Sequence, residues 1–364
     1  MTRTTLLARF VGLISASVLS ASTPLALAQA PSTRTYYVAA VEVEWDYAPG
    51  GINRITGQEP VGLEALILTS GDDRIGRVYK KAVYREFTDS TFATMKERGP
   101  DWEHLGYLGP VLRAAVGDTL QVVFNNKASR PYSMHPHGVF YTKDSEGALY
   151  KDGTEGADKL DDAVPPGGTH VYTWPVPERA GPAAHDGSSI MWMYHSHVDE
   201  PSDVNSGLMG VIIVTRPEMT SAAGRPTDVD REFVIAFAEI DENISWYAEE
   251  NIQTYAGKPD EVSRTFNFAE LPYLLDLRET INGRSYGTLP GLHAKVGERV
   301  RWYVFGTSNF EVHAAHWHGQ TAVANSMRTD VLNLLTMEMV TADMVPDNPG
   351  TWMLHCHVAS GTRS

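Results

Sequence analysis

The chain has 364 residues, of which 42% are hydrophobic, a net charge of −15 and a single cysteine. The apolar content excludes general disorder, the lone thiol excludes an internal disulfide, and the acidity makes nucleic acid and anionic membranes poor partners. The length suits two domains of moderate size.

Residues 1–30 read as a secretory signal. Arg3 and Arg9 give a positive start, the apolar stretch LLARFVGLISASVL follows, and Ala28-Gln29-Ala30 forms a small-residue cleavage site. The apolar part is short for a membrane span and nothing later resembles one. The expectation is a mature chain that works in the periplasm or as a secreted protein, with no membrane partner. An exported protein with one thiol needs a reason to keep it.

After residue 30 the chain is a succession of β-branched and aromatic runs punctuated by Gly, Pro and Asp. They fall at 36–45, 119–126, 170–176, 210–215, 233–240 and 299–306, and only Ser245–Thr254 reads as a short helix. The pattern predicts an all-β sandwich or barrel architecture. Residues 31–215 and 231–364 read as two domains, with 216–230, rich in Pro, Ser, Thr and Gly, as the linker.

The two halves repeat each other. Val116-Gly117-Asp118-Thr119 opens a strand, and His135-Pro136-His137-Gly138 follows 18 residues after the glycine. Val296-Gly297-Glu298-Arg299 opens another, and His316-Trp317-His318-Gly319 follows after 19. Each copy then reaches a second pair: His195-Ser196-His197 in the first, His355-Cys356-His357 in the second.

Eight of the 13 histidines therefore lie in four His-x-His pairs. Along a strand, residues i and i+2 share a face and stand roughly 6.5–7 Å apart. Each pair presents two imidazoles to one metal site, and four converging strands would offer eight. Neutral imidazole suits copper, zinc, iron or nickel. Cys356 points to the opposite side of its strand, where a second metal could bind one residue from the histidine cluster. His313, three residues before His316, could supply a nitrogen there. A thiolate with imidazoles is the pattern of a blue-copper electron-transfer centre.

These residues carry a resemblance. HPHG, HSH, HAAHWHG and HCHV match, in order, the four copper motifs of the multicopper oxidases. The surrounding wording (YYVAAVEVEWDYAPGG, MHPHGVFYTKDSEGALY, MWMYHSHVDEPSDVNSGLMG, INGRSYGTLPGL) resembles the two-domain laccase-like and ceruloplasmin-like branch. The resemblance implies two cupredoxin-like Greek-key domains and up to four coppers per chain. By that likeness His135 and His316 would hold the type 2 copper. His137, His195 and His357 would hold one ion of the type 3 pair, and His197, His318 and His355 the other. His313 and Cys356 would be type 1 ligands. Electrons from a small reducing substrate, phenolic or a metal ion, would enter singly and reduce O2 to water. The likeness also implies a homotrimer whose cluster is shared between subunits.

The chain departs from the family in two places. In the first half Tyr132 and Ser196 stand where His313 and Cys356 stand in the second, so only one type 1 centre is expected. A two-domain nitrite reductase, which keeps its cysteine in the first domain, fits less well for the same reason. The family's last motif also carries a further histidine five residues after the cysteine, where this chain has Gly361. The expected consequences are a type 1 site short of its second imidazole and a second domain lacking its last strand. A shifted or shortened reading frame, a natural loss, or completion by another residue or chain would each explain it, His293 being one spare imidazole. The alternative to an oxidase is then a catalytically impaired copper-binding protein. His104, His170 and His185 read as ordinary polar residues.

Overall fold

The computed structural model describes residues 30–358 except 268 and 308–310. The expected signal segment and Gly361 lie outside the described residues. Among the described residues seventeen strands build the fold. In the first half they are β1 (Thr33–Asp46), β2 (Val78–Phe87), β3 (Val111–Ala115), β4 (Thr119–Asn126), β5 (His135–Pro136), β6 (Thr169–Pro175), β7 (Ser189–His195) and β8 (Met209–Thr215). In the second they are β9 (Arg231–Asp241), β10 (Leu277–Ile281), β11 (Val300–Thr307), β12 (His313–Trp317), β13 (Ala322–Ala324), β14 (Met327–Thr329), β15 (Val331–Leu334), β16 (Met339–Met344) and β17 (Leu354–Cys356). The helix expected near 245–254 is present as Ala248–Tyr255.

The sequence repeat is a repeat of topology. The first half folds as sheets β2-β1-β4-β6 and β3-β8-β7-β5, the second as β10-β9-β11-β16-β13-β14 and β15-β12-β17. In each half the first strand pairs parallel with the strand that follows the Val-Gly-acid turn, Thr33 opposite Thr119 and Arg231 opposite Val300. Both turn glycines need their lack of a Cβ, since Gly117 has φ 94° and Gly297 φ 85°. The acid after each glycine ties the turn down: Asp118 accepts the N–H of Ala115 and Glu298 that of Lys295, at 2.8 and 2.9 Å.

Strand alternation places most of the buried apolar side chains, among the described residues, in three main cores. Tyr84, Leu112, Phe124, Trp174, Ile212 and Val214 fill the first sandwich. Phe233, Ile235, Trp302, Val304, Ala315 and Trp317 fill the second. The odd or even partners on the same strands, among them Val211, Ile213, Val234, Ala236, Tyr303 and Phe305, pack between the halves. Strands β8, β9 and β11 are thus covered on both faces, which explains their unbroken apolar runs. Burying such a side chain is worth about 1.5–3 kcal/mol, so the middle core fixes one half against the other. A buried Arg113–Glu232 fork at 3.0 and 3.1 Å crosses the same boundary.

Among the described residues, no strand of the second half occupies the place that β8 occupies beside β7. None of the described helices is long and apolar enough to cross a membrane.

Candidate metal centre

Pairing of the short strands gathers the histidines in fours. In the first half β5 runs antiparallel to β7 with His135 opposite His195. In the second β12 runs antiparallel to β17 with His316 opposite His355. Within the first quartet the rings of His135 lie 5.3–5.6 Å from those of His137, His195 and His197. Within the second, His316 lies 4.9–5.4 Å from His318, His355 and His357. These separations are shorter than the strand repeat because the rings lean together.

Each quartet has the same internal wiring. His137 and His195 bring their Nε2 atoms to 3.1 Å, and His318 and His355 bring theirs to 2.9 Å. The Nδ1 of His195 lies 3.0 Å from the Ser196 carbonyl, and that of His355 2.8 Å from the Cys356 carbonyl. The Nδ1 of His135 meets the Glu146 carbonyl at 2.7 Å, and that of His316 meets the Asp330 carbonyl at 2.9 Å. A carbonyl only accepts, so in all four rings Nδ1 donates and Nε2 keeps its lone pair. Such tautomer locking is what a metal-binding imidazole requires. Two Nε2 atoms this close need a proton or a cation between them. Ligand atoms of His316, His318 and His355 all fall within 4.8 Å of one another.

Electrostatics favours the neutral, ligating form in four of these rings. Burial, reinforced by its histidine neighbours, pushes His195 down to about 3 and His137 to about 4. Burial also lowers His135 and His355. The first quartet is the more enclosed, with His195 buried, whereas His318 and His357 are exposed.

Within one chain the four His-x-His pairs gather, among the described residues, as two quartets. Among the described residues, every ring contact made by the eight histidines to another histidine stays inside its own quartet. The middle core holds the halves together through other strands, and the two quartets stand apart.

Cys356 turns away from the quartet, as the strand period requires. Its Sγ lies 3.8 Å from Nδ1 of buried His313 and accepts the Ala314 N–H at 3.4 Å. With metal–sulfur and metal–nitrogen bonds of about 2.3 and 2.0 Å, one ion can reach both atoms. His293 is exposed, and among the described residues His313 is the sole imidazole set against the sulfur.

The corresponding place in the first half is filled without a metal. Ser196 Oγ accepts the Ser133 N–H at 3.1 Å, as Cys356 does that of Ala314, but donates to buried Asp203 at 2.7 Å. Asp203 also accepts from the backbone N–H groups of Val198 and Asp199 and from the Trp246 indole. Tyr132, in place of His313, hydrogen-bonds Tyr247, which donates to Glu42 at 3.0 Å. The remaining histidines behave as expected: buried His104 accepts the Val234 N–H, His170 pairs with the Asp144 carbonyl, and His185 is exposed. The orienting carbonyls of Glu146 and Asp330 were beyond sequence reasoning, because backbone acceptors carry no residue signature.

Comparison with known proteins agrees with this geometry. Two family models, each described as "Multicopper oxidase", match residues 105–219 and 257–361. The chain is 46% identical to human Ferroxidase HEPHL1 over 331 residues, covering 90% of this chain and 28% of that protein. It is 43% identical to human Hephaestin, covering 91% and 29%, and 40% identical to human Ceruloplasmin, covering 90% and 31%. The chain thus spans less than a third of the length of these relatives. Among solved structures, one titled as a multicopper oxidase superposes with TM-score 0.56 at 18% identity, over 90% of this chain and 85% of that one. The Blue Copper Oxidase from Nitrosomonas europaea gives 0.54 at 19%, over 91% and 80%. At such identities these superpositions carry the cupredoxin-like fold alone. Members of the family bind copper, and the two quartets and the sulfur–imidazole pair offer donor sets suited to it. The chain belongs to the multicopper oxidase family.

Proposed function

We propose that this chain is a copper-dependent oxidase that takes electrons singly from a reducing substrate and delivers them to O2. The observation that carries the reading is the matched wiring of the two quartets, with Nδ1 donating to a carbonyl in two rings of each and Nε2 of those rings keeping its lone pair. Copper held at these residues would supply the one-electron acceptor beside Cys356 and the O2 chemistry at the imidazoles. The chain supplies the arrangement. Cys356 and His313 would hold the ion that takes up the electron, and the peptide links from Cys356 to His355 and His357 would give it a short covalent route. Four one-electron steps and four protons convert one O2 to two waters.

We further propose that the quartets complete each other between copies, His135, His137, His195 and His197 of one chain meeting His316, His318, His355 and His357 of the next. A ring closed by such head-to-tail contacts is a homotrimer in the two-domain reading, with residues 31–215 and 231–364 as the domains. Both quartets have apolar rims suited to contact. Exposed Phe140 and Tyr141 flank the first, Tyr141 stacking 5.7 Å from His135, and exposed Trp352 and Met353 flank the second. Export through residues 1–30 belongs to the same reading, and N-terminal sequencing of the mature protein tests it.

Fe(II) is the favoured substrate. The most similar relatives above include one named a ferroxidase, the chain is strongly acidic, and the Glu311 carboxylate acts on His313. The test is O2 uptake by the copper-loaded protein with Fe(II) and, separately, with a phenol. Uptake with Fe(II) that stops on copper removal and returns on reloading is expected; uptake with the phenol alone overturns the substrate. A second reading, copper binding without turnover, is favoured by the lone imidazole beside Cys356. Bound copper with no uptake on either substrate would establish it.

A further inference from the structure

Away from the histidines, between β2, β3 and the segment 95–110, lies a cavity of about 680 Å³. That is the size of a small-molecule pocket. In a chain of net charge −15 its lining is cationic. Arg85, Lys96, Arg98 and Arg113 face it, against Glu86 and Glu97. Two of the four cations are already answered: Arg113 forks onto Glu232, and Lys96 meets Glu86 at 2.8 Å. Arg85 and Arg98 are not. Among the described residues neither has a carboxylate within 4.0 Å.

Both guanidiniums are held by backbone. Arg85 Nη1 donates to the carbonyls of Tyr84 and Tyr107 at 2.9 and 3.2 Å, and Arg98 donates through Nη1 to that of Gly106 at 2.7 Å and through Nη2 to that of Leu108. These bonds fix the planes and, among the described residues, leave Arg85 Nε and Nη2 with no protein acceptor. The cost of two uncompensated charges is visible in their acidity. Burial first, then the charge of Arg98, pushes Arg85 down to about 9, and burial lowers Arg98. The lining also has an apolar part, from Trp102, Leu105, Pro110 and Val111, with the Arg113 guanidinium 5.2 Å over the Trp102 ring.

We infer that this cavity binds a small carboxylate carried on an apolar, ring-sized body, its carboxylate on Arg85 and Arg98 and its body against Trp102. A fixed guanidinium fork matches a planar carboxylate. A bare oxyanion would satisfy the charges but leave most of the volume and the apolar wall to water. The inference does not depend on the oxidase reading, because none of the proposed copper ligands lines the cavity.

The test is isothermal titration of the copper-loaded protein with benzoate and, separately, with inorganic phosphate, at constant ionic strength. Saturable benzoate binding, at least about tenfold tighter than phosphate, is expected. Arg98→Gln keeps a donor for the Gly106 carbonyl but removes the charge, and should weaken benzoate about tenfold. Met95→Glu, at an exposed position on the rim, places a carboxylate beside the arginines with little risk to folding, and should abolish binding. Absence of benzoate binding, phosphate binding as tightly, or an unchanged affinity in Met95→Glu (the sign of benzoate at copper instead) would each overturn the inference.

Discussion

The sulfur of Cys356 stands 3.8 Å from Nδ1 of His313 and on the far side of its strand from His355, whose Nε2 meets His318 at 2.9 Å. One residue thus separates a sulfur–imidazole pair from an imidazole quartet, and the strand period alone sends them to opposite faces. Cys356→Ser keeps an acceptor for the Ala314 N–H, so the fold should survive with a loss under about 1 kcal/mol. Removing a ligand costs at least as much as removing a group that orients one, so turnover should fall about 100-fold or more. Copper held at the quartets should stay. Metal counting, the visible spectrum and the steady-state rate, measured together, check this; an unchanged rate would remove Cys356 from the electron path.

His104 makes a pH-dependent contribution independent of the copper ligands. It is fully buried, accepts the Val234 N–H at 3.1 Å, and is pushed down to about 4, chiefly by burial. In the unfolded chain the ring takes a proton near pH 6.5. Between these values the unfolded state binds more protons, so stability rises with pH through the window and is lost as pH falls from about 6.5 to 4. The loss should approach about 3 kcal/mol. His104→Gln, whose amide oxygen can take the same N–H, should flatten this segment of a denaturation-against-pH curve relative to the parent.

A buried ion pair couples the two halves. Lys81 meets Glu242, both almost without exposure, and donates as well to the Asn205 carbonyl, while the Tyr47 hydroxyl donates to the same carboxylate. Lys81→Met would leave Glu242 buried without its cation, at a cost of about 3–5 kcal/mol. The double variant Lys81→Met with Glu242→Leu should recover much of that loss. Chemical denaturation of the single and double variants measures it, and a small cost for the single change would mean that the pair adds little to the join between the halves.

The sequence was most legible where a short-range rule governs. Strand β4 falls where alternation put it, at 119–126, and β9 and β11 differ from expectation by one or two residues. The His-x-His spacing foretold two imidazoles per strand face, and Ser196 and Tyr132 marked the first half as lacking a sulfur site. What could not be read is long-range. Asp203 lies seven residues from Ser196, but nothing in that spacing says that it accepts from Ser196, two backbone N–H groups and Trp246 at once. The separation of the quartets depends on which sheet faces form the middle core, and only the packing of Val211 and Ile213 on Val234 and Ala236 decides it. Arg85 and Arg98 likewise look like ordinary surface cations until the backbone carbonyls they hold are seen.

The claim at the centre is that the two quartets complete one site between chains. Two inactive variants test it most directly: His135→Ala with His137→Ala, and His318→Ala with His355→Ala. Each destroys one half-site and leaves the other intact. Dissociated, mixed in equal amounts and reassociated, they should recover about a quarter of the parental O2 uptake, because about one interface in four then joins two intact halves. Uptake in the mixture no higher than in either variant alone would contradict a site shared between chains.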